Sequence, residues 1–285
     1  MYDNFILRQT ENGNIGGYTW PLENPDKVVC LIHGIGEYAG RYDRMAKAFH
    51  EKNIAVLSMD LRGHGISMNK WGHCAPRADV LNDITVLIRH AQSVYPNVPI
   101  VLYGHSMGGN ITMDYRFRGE LNDVPVGYVI SAPWIRLVRA VPGILYVVVK
   151  AASKIMPSMI MSAAVNEDVL GHPDSVKPYN KNPMVHDRIS LQTAYDGFTI
   201  GLAMENGTHE NNGKAKDIPT LVMHGTEDKI CSIDGTRAMI AKMEENGDNV
   251  KFIEWEGLYH EIHNGGQESK GDEVIETAGS WISQL

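Results

Sequence analysis

Short apolar runs, each the length of one strand, alternate along this chain with stretches whose apolar residues recur at helical spacing. The runs are "KVVCLIHG" (27–34), "IAVLSMD" (54–60), "PIVLYG" (99–104), "VGYVISA" (126–132), "IPTLVMHG" (218–225) and "VKFIEWEG" (250–257). Between them Tyr42, Met45, Ala46 and Phe49 mark one helical face, and Leu81, Ile84, Ile88 and Ala91 mark a second, closed by Pro96. Val274, Ile275, Ala278, Trp281 and Ile282 stripe a last helix. A run that is apolar at consecutive positions suits a strand covered on both faces. Strands separated by helices are joined by crossovers, so the expectation is an α/β fold with a mostly parallel central sheet and helices on both faces. At the N-terminus "NFILRQTE" and "IGGYTW" flank the turn signal "NGN", which predicts a hairpin. The alternation fails between 136 and 204, where helix-like apolar stretches meet the proline-rich "HPDSVKPYNKNP" (172–183). Residues 1–135 and 205–285 therefore read as one core, and 136–204 as an inserted helical cap.

Composition narrows the partners. A net charge of −8 without a Lys/Arg cluster argues against nucleic acid. The three cysteines, Cys30, Cys74 and Cys231, form no CxxC pair, which suits a reducing compartment. The opening "MYDNFILRQTENG" has neither a basic stretch nor an apolar one of the secretory kind, so the expected location is cytoplasmic. The most apolar stretch, 140–164, is broken by Lys150, Lys154 and two prolines, too often for a spanning helix of about 20 apolar residues.

In sheets of this kind chemistry gathers at the carboxyl ends of the strands. Three such ends carry Ser106, Asp228 and His260. "GHSMG" (104–108) is a G-x-S-x-G match, weak alone in a chain with 28 glycines, but here it lies between a strand run and a helix-like stretch. That setting forces a strained backbone at the serine, and glycines on either side remove side chains that would collide. A serine hydroxyl needs a base to take its proton. Of twelve histidines, His260 in "GLYHEIH" follows the last strand, with His263 its rival three residues on; if a helix opens near His260 the two share a face. A carboxylate must then hold the imidazole tautomer. Asp228 in "HGTEDKICS" is placed for this, with Glu227 and Asp234 as alternatives; Asp234 in "SIDGT" reads as a helix cap. The order Ser106, Asp228, His260 is that of α/β-hydrolases. For a developing oxyanion, the turn in "LIHGIGEYAGRY" (31–42) leaves the N–H of Ile35 able to face the site, and the N–H of Met107 follows the serine. His33 reads as a brace for that turn and His64 as structural. The pair His260 and His263 lacks a third residue at metal-ligand spacing, so neither metal nor cofactor is called for.

Four segments together, "HGIGEYAGRY" (33–42), "DLRGHGIS" (60–67), "GHSMGG" (104–109) and "HGTEDKICS…EGLYHEIH" (224–263), resemble the monoacylglycerol lipase and lysophospholipase group of α/β-hydrolases. The resemblance spans most of the core and implies an α/β-hydrolase fold with a cap. It implies hydrolysis of a monoacylglycerol ester to glycerol and fatty acid through an acyl-enzyme. It further implies that Glu37, Arg41, Tyr179 and His263 line a polar cavity for the glycerol headgroup, although Glu37 and Arg41 also read as a surface ion pair and Tyr179 as a packing residue. Cys231 matches a thiol found near the site in some members and reads as a bystander. Ile35 departs from the pattern, since a smaller residue is usual there, and its bulk narrows the acyl entrance. Neighbouring readings are the same chemistry on a lysophospholipid, a short-chain ester or a hydroxycinnamate ester, and, from another class, a silent hydrolase fold that senses a ligand. The apolar 140–164 stretch would cover Ser106, give an acyl chain an adaptable tunnel, and offer an outer face for transient contact with a membrane surface.

Overall fold

The computed structural model describes residues 2–67, 69–139, 143–165, 167–171, 182–264 and 270–285. Two strands open the chain, β1 (Asp3–Thr10) and β2 (Gly13–Trp20), paired antiparallel about the Glu11–Asn12 turn. The central strands are β3 (Lys27–Ile32), β4 (Ile54–Met59), β5 (Ile100–His105) and β6 (Gly127–Ser131). Two short strands follow, β7 (Ile160–Met161) and β8 (Ile189–Ser190), then β9 (Thr220–Gly225) and β10 (Val250–Trp255). Eight of these make one sheet in the order β1-β2-β4-β3-β5-β6-β9-β10, parallel from β4 to β10.

Helices α1 (Asp43–His50), α2 (Arg77–Val94), α3 (Met107–Arg118), α4 (Gly143–Ile155), α5 (Glu167–Leu170), α6 (Leu191–Glu205), α7 (Ile233–Glu245) and α8 (Lys270–Ser283) surround it. Successive residues of a strand face opposite sides. In β3, Val28, Cys30 and Ile32 enter the core beneath α2, while Val29 and Leu31 enter the one beneath α1 and α8. β4 and β5 divide in the same way, Leu57 and Leu102 to one side, Val56 and Val101 to the other. Two covered faces are why these strands have no polar alternation. On β10, the sheet edge, Lys251 and Glu254 are exposed and no residue is fully buried.

Between β6 and β9 the chain leaves the sheet for α4, the β7–β8 pair, α5 and α6. α6 packs back on the body, with Met204 joining Ile135, Met239 and Met243 in a third core. α4 buries Val149 and Ser153 but exposes Val147, Val148 and Ile155. Among the described residues no helix is long and apolar enough to cross a membrane. All three cysteines are free and buried.

Candidate active site

Ser106 occupies the corner between β5 and α3 with φ 56° and ψ −119°, a conformation that costs a non-glycine residue about 1–3 kcal/mol. Close packing over-determines it. A Cβ at Gly104 would stand 2.3 Å from Thr112 Oγ1, and one at Gly108 2.2 Å from the Ile32 carbonyl oxygen. The Ser106 N–H donates to Ser131 O at 3.0 Å, and its carbonyl accepts from Trp134 N at 3.0 Å. The hydroxyl is thus fixed at the N-terminus of α3, where helix polarity favours negative charge.

Three residues distant in sequence converge here. Ser106 Oγ donates to His260 Nε2 at 2.7 Å, and His260 Nδ1 donates to Asp228 Oδ2 at 2.7 Å. A carboxylate only accepts, so the proton lies on Nδ1 and Nε2 is left as the acceptor. The other carboxylate oxygen of Asp228 accepts from the N–H groups of Ile230 (2.8 Å) and Cys231 (2.9 Å). His224, at the end of β9, adds a second donor to Asp228 Oδ2 at 3.0 Å; its Nδ1 accepts from Thr236 Oγ1. Glu227 is exposed, and Asp234 lies in the first turn of α7 paired with Arg237 rather than at the cap, which is Ser232.

Burial pushes the Asp228 carboxyl up, but the charge of His260 and the hydrogen bonds from His224 and His260 outweigh it and hold it well below the usual carboxylate range. Burial lowers His260; Asp228 outweighs that through its charge and its hydrogen bond, with Glu261 and Glu37 adding to the effect, and the imidazole stays above its ordinary value. Asp228, Cys231 and His260 bring ligand atoms within 4.8 Å of one another. Two of the three are committed to each other and to Ser106, and burial drives the thiol well above its ordinary value, away from the thiolate that metals bind.

The turn after β3 is held from within. His33 donates from Nδ1 to Gly34 O at 2.7 Å and accepts at Nε2 from Leu61 N, so it braces two loops. Glu37 Oε1 accepts from Gly34 N (2.6 Å) and Tyr42 Oη (2.8 Å), and its other oxygen accepts from Arg41. Arg41 also grips Glu261 with two donors, at 2.7 and 3.0 Å. Glu37 and Arg41 are therefore paired, but in the interior: the Glu37 side chain is 3% exposed and that of Arg41 14%. Among the described residues neither Ile35 N nor Met107 N donates to a protein acceptor. His263 is buried and stacks on Tyr42, burial lowers it to about 3, and its Nδ1 has no partner among the described residues. No helix opens at His260; a short 3-10 turn, Ile262–Asn264, follows it, and His263 is not among the residues that line Ser106's cavity. Tyr179 lies outside the described residues.

That cavity is lined by Gly34, Ile35, Glu37, His105 and Ser106 on one side and by Val165, Leu170, Ile230, His260 and Glu261 on the other. Its volume is about 20 Å³, room for about one water. Sequence reasoning did not single out His105, His224 or Glu261. Two of these left a signal, since His105 and Glu261 directly adjoin Ser106 and His260.

Residues 23–267 match the family model described as serine aminopeptidase, S33. A monoacylglycerol lipase of Mycolicibacterium smegmatis is 31% identical over 264 residues, covering 92% of this chain and 90% of that protein. Phospholipase YtpA of Bacillus subtilis is 26% identical over 94% of this chain and 99% of its own. The crystal structure of a monoacylglycerol lipase from Paleococcus ferrophilus has a TM-score of 0.79 at 25% identity, covering 100% of this chain and 98% of that one.

Proposed function

The chain belongs to the serine aminopeptidase S33 family of α/β-hydrolases, and we propose that it is a serine hydrolase of lipid esters whose substrate is a monoacylglycerol. The single observation that carries this reading is the unbroken hydrogen-bonded line from Ser106 through His260 to Asp228. His260 Nε2 takes the Ser106 proton as Oγ attacks the ester carbonyl. The N–H groups of Ile35 and Met107 receive the oxyanion, each worth about 3–4 kcal/mol of barrier. Glycerol leaves with the proton from His260, and water, deprotonated by the same nitrogen, releases the fatty acid and restores Ser106. The intact triad geometry speaks against a silent, ligand-sensing fold.

The glycerol leaving group is supported by the monoacylglycerol lipase relatives and by the polar residue Glu37 in the cavity wall. A lysophospholipid is the second reading, favoured by the phospholipase relative. Rates on a monoacylglycerol, a simple alkyl ester and a lysophospholipid sharing one acyl chain separate them. We expect kcat/KM about tenfold higher for the monoacylglycerol than for the alkyl ester, one or two hydrogen bonds of preference. Equal rates would remove the headgroup claim, and a lysophospholipid preference would move the assignment to the second reading.

Residues 136–204 act in this reading as a cap. Val165 and Leu170 of this stretch line the small cavity at Ser106, so the cap would open for an acyl chain to enter. Burying eight methylenes then contributes roughly 6 kcal/mol. The cap's outer surface exposes Val147, Val148, Ile155 (78%), Met156, Met159 and Met161 beside Lys150 and Lys154, a composition suited to an anionic lipid surface. The double substitution Ile155→Asp/Met159→Asp is expected to lower co-sedimentation with phosphatidylglycerol vesicles about tenfold or more. Hydrolysis of a water-soluble short-chain ester should stay at the wild-type rate, and unchanged sedimentation would remove the membrane contact.

A further inference from the structure

Glu261 follows His260 in sequence and lines the same cavity as Ser106. Its side chain is 2% exposed. Both of its oxygens accept from one guanidinium, that of Arg41, and Oε2 also accepts from Asn264 Nδ2 at 3.0 Å. Arg41 in turn binds Glu37, and Glu37 holds the N–H of Gly34, the residue before Ile35. A continuous chain of charge-assisted bonds therefore joins the loop that carries His260 to the loop that carries Ile35. The three side chains bring two buried carboxyl groups and one guanidinium beside an imidazole.

We infer that Glu261 is a positioning residue: its two-pronged bond to Arg41 sets His260 against the oxyanion loop, and its charge favours the imidazolium that forms as Ser106 attacks. The inference rests on the proposed function, because it needs His260 to be the base. An imidazolium produced in a low-dielectric site is stabilised most by fixed charges that need no reorganisation. The groups facing His260 are Asp228 and Cys231 from the loop after β9, with His224 behind Asp228. From β5 and its corner come His105 and Ser106; from the loop after β3, Glu37 and Arg41; from its own loop, Glu261 and His263. Burial drives His105 well below its ordinary value and His263 to about 3, so both are neutral and the carboxylates set the local field. Burial acts to raise Glu261, yet the charge of Arg41 and its hydrogen bonds hold this carboxyl low and ionised; burial raises Glu37.

His260 must be neutral to accept a proton, so its protonation sets the acid limb of the rate profile. Removing the Glu261 charge makes His260 less basic and moves that limb to lower pH, while the plateau falls because the base is weaker. The readout is the second-order rate of inactivation by a small alkyl fluorophosphonate, which has no glycerol to bind, between about pH 5 and pH 9. We expect Glu261→Gln to shift the acid limb to lower pH and to lower the plateau roughly three- to tenfold. Glu261→Asp retains the charge on a shorter stem that cannot span Arg41, so its limb stays while its plateau falls. A Glu261→Gln limb that coincides with wild type overturns the proposal, as does an effect seen with monoacylglycerol alone. If circular dichroism shows that Glu261→Gln does not fold, Glu261→Asp decides: a wild-type plateau overturns the positioning role, and a lowered plateau on an unmoved limb supports it. Wild-type protein that takes no label at Ser106 would instead remove the reading beneath.

Discussion

Replacing Ser106 with alanine is expected to abolish covalent capture by a fluorophosphonate and to lower kcat on a monoacylglycerol by about 10⁶-fold. The size follows from what the hydroxyl does in the proposed cycle. Without Oγ no acyl-enzyme forms, and His260 can at best activate a water that occupies the small space beside it. That leaves the oxyanion donors and the bound geometry, which elsewhere retain about 10³–10⁴-fold over the uncatalysed reaction. The fold should tolerate the change. Alanine keeps the Cβ, so the positive φ at residue 106 remains strained but no worse, and the interior loses one hydrogen bond to His260. Ser106→Gly should relieve that strain and raise the unfolding midpoint, because glycine reaches φ 56° without penalty. Intact-mass measurement after labelling reads the first effect and denaturant unfolding the second. A labelled Ser106→Ala protein would move the nucleophile elsewhere.

That a serine, a carboxylate and a histidine should meet at one sheet edge was legible because each follows an apolar run, and parallel strands put their carboxyl ends together. The runs were legible for a physical reason as well: Val28 to Ile32 and Val101 to Tyr103 supply both cores at once, so no polar residue interrupts them. β7 and β8, two residues each, left no pattern, since their pairing depends on a contact across about thirty residues and not on local period. The identity of the resting partners was also hidden. Glu37 and Arg41 are four apart and suggested a pair, but the second carboxylate that completes their network lies 220 residues away at Glu261. A helix opening near His260 would have put His260 and His263 on one face, whereas the chain forms only the 3-10 turn Ile262–Asn264 there. What periodicity reports is burial; which polar groups share a buried charge is a property of the closed fold.

Asp228→Asn should be the next most damaging change, with kcat lowered by about 10⁴-fold and KM little altered. The reason is a count of donors. In the native site one carboxylate oxygen accepts from the N–H groups of Ile230 and Cys231, and the other accepts from His260 Nδ1 and His224 Nε2. Four donors converge on a group that has none. An asparagine brings an NH₂ of its own, and whichever way it turns, that NH₂ faces two of those donors. If its oxygen keeps the backbone pair, His260 must give up the proton on Nδ1 and carry it on Nε2. There it points at Ser106 and cannot accept. If its oxygen turns to the histidines, the N–H groups of Ile230 and Cys231 lose their partner and the loop after β9 shifts. Either choice leaves buried donors unsatisfied, so a stability loss of about 2–4 kcal/mol is expected at neutral pH. The loss should depend on pH in a definite sense. The folded Asp228 carboxyl is held below its unfolded value, so its ionised form stabilises the wild type above the ordinary carboxylate range. That contribution fades as pH falls through the range toward the folded value, and the gap between wild type and variant should narrow in acid. Unfolding midpoints of both proteins at neutral and acid pH measure it. A gap that stays constant, or a variant within tenfold of wild-type kcat, would mean that His260 takes its tautomer from somewhere other than Asp228.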